Sequence, residues 1–219
     1  MKIVLHGIIA ATLAWSGLAV AAPFCGKLAN HYGPFDYRTD KGNLPIVEGA
    51  HFTEEVERGL HGNTATEIGG DLDYTLRAFP NHHRALATLA NVSLRDKALK
   101  LPQMKYPAEC YFMRAVQFAP TDAIVRGLYG SYLYSHGMQD QALVQYKEAI
   151  SLDPDSPMLN YNIGLAYLKK NDFPRALEHA HKAYTQGYPL PGLKNQLIKA
   201  GKWTEPPAPA VEKTAQATE

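Results

Sequence analysis

From residue 108 onward, small and aromatic residues return at a fixed interval. Ala108, Ala142 and Ala176 stand 34 apart, as do Ala115, Ala149 and Ala183; Phe112 with Tyr146, Pro120 with Pro154, and Gly130 with Gly164 keep the same interval. Between them apolar residues recur every three or four, the period of a helix with one buried face. The spacing predicts helix hairpins. In the unit 123–156 the first helix carries Gly130 and the second Ala142, two sites with almost no side chain, where two backbones approach closely. Ala149 makes the same allowance for the next unit, Tyr146 fills the space between, and Pro154 ends the second helix because proline cannot continue one. The unit from Pro157 repeats the scheme with Gly164, Tyr167, Ala176 and Ala183, and departs from it at Ala180 and at Tyr188-Pro189.

Upstream the pattern weakens. Leu72, Leu76 and Phe79 form one helical stripe that stops at Pro80, and Asn81 is the expected N-cap of a helix from His82 to about Leu94, with Leu86, Ala87 and Leu89 turned inward. Pro80 to Pro120 spans 40 residues, so about six extra fall in a loop over Arg95–Pro107. In residues 22–70, Gly33-Pro34, Lys41-Gly42-Asn43, Gly62-Asn63 and Gly69-Gly70 are turn chemistry. One short helix is expected there, from Thr53 to Leu60, with Thr53 as N-cap and Glu54 and Glu55 toward the positive end of its dipole. Phe35, Asp36, Tyr37, Arg38 and Asp40 read as a polar collar closing one end of the fold, or else as a binding surface. Downstream, Leu190–Ala200 is an amphipathic helix with Leu193, Leu197 and Ile198 on one side and Lys194, Gln196 and Lys199 on the other, and Trp203 is expected over its end. Thr204–Glu219, proline-rich among alanines and charges, buries too little to fold and reads as a tail.

A 34-residue period with these small-residue positions resembles the tetratricopeptide (TPR) repeat. The resemblance implies an all-α fold: a short right-handed α-solenoid of TPR helix hairpins with an irregular N-terminal segment and a C-terminal capping helix. On this frame residues 1–21 are a signal peptide, 22–70 the N-terminal capping segment and 71–203 the solenoid, with repeats at 81–120, 123–156 and 157–189 and a capping helix at 190–203; 204–219 is the tail. The family's concave groove, lined by the first helices of successive units, would here present Ile124, Ser131, Tyr134, Met158, Tyr161, Asn162, Leu165 and Lys169. One subgroup clamps a C-terminal carboxylate with two lysines, two asparagines and an arginine. Gly127 and Ser131 stand where its first lysine and asparagine belong and only Asn162 matches, so that activity does not transfer.

Composition narrows the rest. Lys2, the apolar run Gly7–Val20 and the small residues Ala19 and Ala21 have the layout of a secretory signal peptide cleaved after Ala21, with Pro23 disfavouring the next site. Cleavage removes Lys2 and takes the formal charge from +1 to zero, so no net field draws the protein to nucleic acid or a membrane surface. The expected location is periplasmic or secreted. There the two cysteines, Cys25 and Cys110, are expected to be bridged. Metal chemistry is disfavoured because His82 with His83, and His179 with His181, sit one or two apart on a helix and point to different sides. Asp71 and Asp73 have no evident basic partner and read as helix-start acids, and no phosphate loop, nucleophile elbow or haem motif occurs. Asn91-Val92-Ser93 matches a glycosylation acceptor. The expected function is a non-catalytic, cofactor-free interaction module for a protein or peptide segment. The alternatives are a small-ligand or metal-binding accessory protein, or an enzyme with its site in the N-terminal segment.

Overall fold

The computed structural model describes residues 25–206, so the segment expected to be a signal peptide, with its expected cleavage point, and most of the proline-rich tail lie outside the described residues. Within them the chain is all-helical: α1 (Leu44–His51), α2 (Glu54–Glu57), α3 (Ile68–Ala78), α4 (His83–Arg95), α5 (Ala108–Phe118), α6 (Ala123–Ser135), α7 (Gln139–Leu152), α8 (Pro157–Lys169), α9 (Phe173–Thr185) and α10 (Gly192–Lys199), with a 3-10 turn at Lys41–Asn43 before α1. No described helix is long and apolar enough to cross a membrane.

Local chemistry sets the helix starts. Asp122, Ser156 and Asp172 each accept a hydrogen bond from the backbone N–H three residues on, at 3.3 to 3.4 Å, and Pro157 and Pro174 occupy first-turn positions where a missing N–H does no harm. α6 packs antiparallel on α7, and α8 on α9, while the first helices α4, α6, α8 and α10 lie side by side in sequence. One apolar core runs through all of them, from Phe52 and Val56 to Leu193 and Leu197. The hairpin contact differs in detail from the expected meeting of Gly130 with Ala142. A Cβ at position 130 would stand 2.7 Å from Cδ1 and Cε1 of Tyr146, so the glycine makes room for a buried aromatic ring one turn along α7. In the next unit Gly164 receives Leu193 of α10, which would lie 2.5 Å from a Cβ there.

The N-terminal segment is more ordered than its turn-rich sequence suggests. Lys41-Gly42-Asn43 forms the 3-10 turn that leads straight into α1, which packs on α3 in the place of a missing first helix. Pro45 sits in the first turn of α1, and Leu44 and Val47 join Ala78 and Phe79 in a second small core with Phe35 and Tyr37 packed against it. The helix expected over Thr53–Leu60 is only Glu54–Glu57, and the Thr53 side chain makes no capping bond. Asn81 is not the cap of α4 either. His82 is, its Nδ1 accepting from Ala85 N–H at 3.1 Å, while Asn81 is buried and binds Tyr37 N–H at 2.9 Å and Asp36 at 2.8 Å.

Covalent and ionic ties fix this segment to the solenoid. Cys25 and Cys110 are bridged, their Cα atoms 5.1 Å apart. One turn along α5, the guanidinium of buried Arg114 donates to the carbonyls of Cys25 at 3.1 Å and Lys27 at 2.7 Å and lies 5.2 Å over the Tyr106 ring. Asp71 and Asp73, expected to lack basic partners, are both buried and answered. Asp71 meets His51 at 2.7 Å and accepts from the backbone N–H of Asn63 at 2.6 Å; Asp73 meets Arg77 at 2.7 Å, the Lys105 N–H at 3.0 Å and the Tyr111 hydroxyl. Distant sequence supplied the partners: His51 from α1 and Tyr111 from α5.

Candidate functional site

The helices α4, α6, α8 and α10 lie side by side, and the eight residues expected to line a groove fall into two sets by their surroundings. Ile124 and Lys169 are exposed; Tyr134, Met158, Asn162 and Leu165 are half-buried. Ser131 and Tyr161 are engaged internally. The Ser131 hydroxyl donates to the Gly127 carbonyl at 3.0 Å and accepts from the Tyr146 hydroxyl at 3.1 Å. Tyr161 is only 7% exposed, its ring centroid 4.5 Å from Tyr188 and 6.5 Å from Tyr184, and Gly192 leaves room for its hydroxyl. It is therefore a packing residue, and an alanine there would unsettle the α8 to α10 contact.

Tyr134 and Lys169 come together in an open cleft of about 570 Å³ between the ends of α6, α8 and α10. Tyr134 and Leu168 give it an apolar floor, Phe173 at the start of α9 forms one side, and Gln196 and Lys199 of α10 form the other. Burial pushes the Tyr134 phenol above its usual range, so the ring meets the cleft as a neutral hydrogen-bonding aromatic. Phe173, Gln196 and Lys199 were not anticipated as site residues. Lys199 lay on the polar face of an amphipathic helix, and only the way α10 docks on α8 turns that face toward Tyr134.

At the opposite end the polar collar is a closed network. Arg38 donates twice to Asp36, at 2.7 and 3.1 Å, and holds its carboxyl far below the usual carboxylate range. Burial tends to push Asp122 up, but the hydrogen bond from His83 at 2.8 Å and that ring's charge leave it lowered, and Asp122 also caps α6. His82 is fully buried against Tyr37, Phe52 and Phe79, with Nε2 2.9 Å from Glu48. Each of these charged groups is answered by another within the collar, which closes the end of the helix stack rather than leaving polar atoms aimed at a ligand. The adjacent histidines diverge to Glu48 and Asp122, and His179 and His181 diverge to Asn160 and to the Thr204 carbonyl. Among the described residues no three His, Cys, Asp or Glu side chains converge as metal ligands. The glycosylation acceptor lies inside α4 with Ser93 fully buried.

Residues 130–171 match the family model for the TPR repeat, a stretch that runs from Gly130 in α6 through α7 and α8 to the turn before α9. No curated protein matches the chain. Solved structures with partial likeness include the MamA RS-1 ArsTM double mutant, at 20% identity over 73% of this chain and 77% of that one with a TM-score of 0.46. The Sgt2 TPR domain from Aspergillus fumigatus aligns at 21% identity over 62% and 91% with a TM-score of 0.41. The matched segment is flanked by further helices, with the 34-residue interval kept from α5 through α7 to α9 and widened to 40 residues between α4 and α6, and TPR domains generally bind protein or peptide partners. Residues 130–171 therefore carry a tetratricopeptide repeat, set within an all-helical fold of packed hairpins.

Proposed function

We propose that the protein is an exported, non-catalytic scaffold that holds a protein or peptide segment in the concave groove of its repeats, as part of a cell-envelope assembly. The observation that carries this reading is the cleft in which Tyr134 and Lys169, two residues assigned to the groove from the repeat register alone, share one open space with α10. An aromatic floor with polar and charged walls suits an extended or helical segment with apolar anchors. The Cys25–Cys110 bridge supports an oxidising compartment, and the Lys2, Gly7–Val20 and Ala19/Ala21 sequence supports export with a mature start at Ala22.

The test is site-specific crosslinking in the intact envelope. A photo-reactive residue at Asn162 should give a discrete adduct that weakens when Tyr134→Ala is added, and a photo-reactive residue at Arg38 should give none. Adducts from Arg38 alone would move the working surface to the collar. Intact mass of the envelope protein should correspond to a chain beginning at Ala22, and a chain retaining Lys2 would overturn the exported, cleaved form.

A further inference from the structure

The groove ends in a basic, aromatic surface whose lysines form no ion pair among the described residues. Lys169 in the last turn of α8, Lys199 in the last turn of α10 and Lys202 just beyond it are all exposed. The ion pairs of this half of the molecule, among the described residues, are made by other basic groups: Lys170 with Asp140, Arg175 with Asp172, Lys182 with Glu178, and Lys194 with Glu205. No carboxylate lines the cleft that holds Lys169 and Lys199. Phe173 also lines a smaller cleft of about 360 Å³, formed with Pro174, Leu177 and Lys202, whose ammonium lies 5.7 Å from the Phe173 ring centre. Two neighbouring clefts, one of mixed polarity and one mainly apolar, thus share the Phe173 ring and are rimmed by three lysines.

Lysine at a helix C-terminus complements the dipole, which accounts for Lys169 and Lys199 taken singly. It does not account for Lys202, which follows the helix, nor for the gathering of all three on the two clefts that share Phe173. We propose that this surface receives an acidic segment of a partner protein, its large apolar side chain seated beside Phe173 and its carboxylates set against Lys169, Lys199 and Lys202. The inference rests on the groove reading and gives the charge and anchor of the groove's ligand. Charge complementarity selects the occupant: acidic side chains satisfy the three ammonium groups, while the apolar floor leaves no reason for a bare anion to prefer this place. The lysines are point charges without a planar fork, so they suit several carboxylates along a flexible segment better than one bidentate partner.

The experiment uses the full mature chain and a fluorescein-labelled peptide of alternating Glu and Asp around a single Phe, followed by anisotropy. Saturable binding that weakens with added salt is expected, with an affinity loss of roughly tenfold or more when Lys169, Lys199 and Lys202 are changed to Glu, and a comparable loss for Phe173→Ala. A peptide with Gln and Asn in place of the acids should bind correspondingly less. Equal binding by the charge-reversed protein, or equal binding of the amide peptide, overturns the proposal. So does binding to phosphatidylglycerol vesicles that the acidic peptide does not displace, or a dimer of the chain that the lysine substitutions dissolve. If the peptide result fails while the Asn162 crosslink persists, the groove stands and only its assigned ligand chemistry falls.

Discussion

Acid should loosen the N-terminal end of this protein well before its carboxylates titrate, and His82 is the cause. The imidazole is fully buried among the rings of Tyr37, Phe52 and Phe79, at centroid distances of 4.2, 4.8 and 6.3 Å. Its Nδ1 accepts the Ala85 N–H that opens α4, so the proton of the neutral ring sits on Nε2 and is donated to Glu48. A charged ring would place an N–H against the Ala85 N–H and lose the cap. Burial, with the nearby charges of Arg84, His83 and Lys41, pushes the pKa from 6.5 down to about 3. Glu48 would favour the charged ring, but it is partly exposed and shared with Arg84 at 3.3 Å, so burial prevails. The sign follows from linkage. Below 6.5 the unfolded chain takes up a proton that the folded chain refuses, so this contribution is complete above pH 6.5 and drains away as pH falls toward 3. At about 1.4 kcal/mol per unit, moving from pH 7 to pH 5 removes about 2 kcal/mol. Asp36 and Glu57, held low by Arg38 and Arg84, lose their contributions only at more acid pH. His179, also depressed by burial, acts in the same direction as His82, which makes a variant necessary. Urea unfolding followed by far-UV circular dichroism at both pH values should give the full loss in the wild type and less than half of it in His82→Asn, which keeps a capping oxygen. Equal losses in the two proteins would refute the assignment to His82.

Three further outcomes are expected. Gly130→Leu should destabilise by about 2 kcal/mol or more, because the new side chain enters space already filled by the Tyr146 ring; an unchanged melting temperature would contradict the 2.7 Å approach. His179→Leu should cost about 1–3 kcal/mol, since it leaves the buried Asn160 carbonyl oxygen without its 2.8 Å partner, and denaturant midpoints measure it. Thiol labelling of the unreduced protein should find no free cysteine, and Cys110→Ser should lower stability by up to about 4–5 kcal/mol for a loop of 85 residues, against which an unaltered unfolding curve would count.

The repeat was legible because its signals are local: an alanine or glycine every 34 residues records where two helices touch, whatever lies elsewhere in the chain. His179 shows the limit of that reading. Its position on α9 looks like an outer face, yet it stacks on Tyr167 and serves Asn160, because a polar residue buried on the neighbouring helix demanded a donor. The N-terminal segment was harder for a related reason. Gly42, Asn43 and Gly49 dilute the helical signal of α1, though Pro45 in its first turn and the Leu44/Val47 spacing mark where it starts. The capping of α4 by His82 in place of Asn81 was out of reach, since Asn81 was withdrawn from capping by Tyr37 and Asp36, more than forty residues earlier in the chain. The cleft was half legible: the register pointed to Tyr134 and Lys169, but the wall from Phe173 and α10 depends on a docking angle that no local pattern encodes.

The two ends of the helix stack are held by different means, and this gives the molecule a direction. A solenoid comes apart from its ends because each unit leans only on its neighbours. Here the first end is bolted by the Cys25–Cys110 bridge and by Arg114 gripping the carbonyls of Cys25 and Lys27. The last rests on Leu193 and Leu197 and on the Trp203 ring laid 5.9 Å from Tyr184. Fraying therefore runs one way, with the amides of α10 and α9 exchanging with solvent ahead of those in α5. The cleft lies on the fraying end, between α6, α8 and α10, so a segment seated there would act as the missing clasp, and occupancy would be felt as a slowing of exchange through the final two helices.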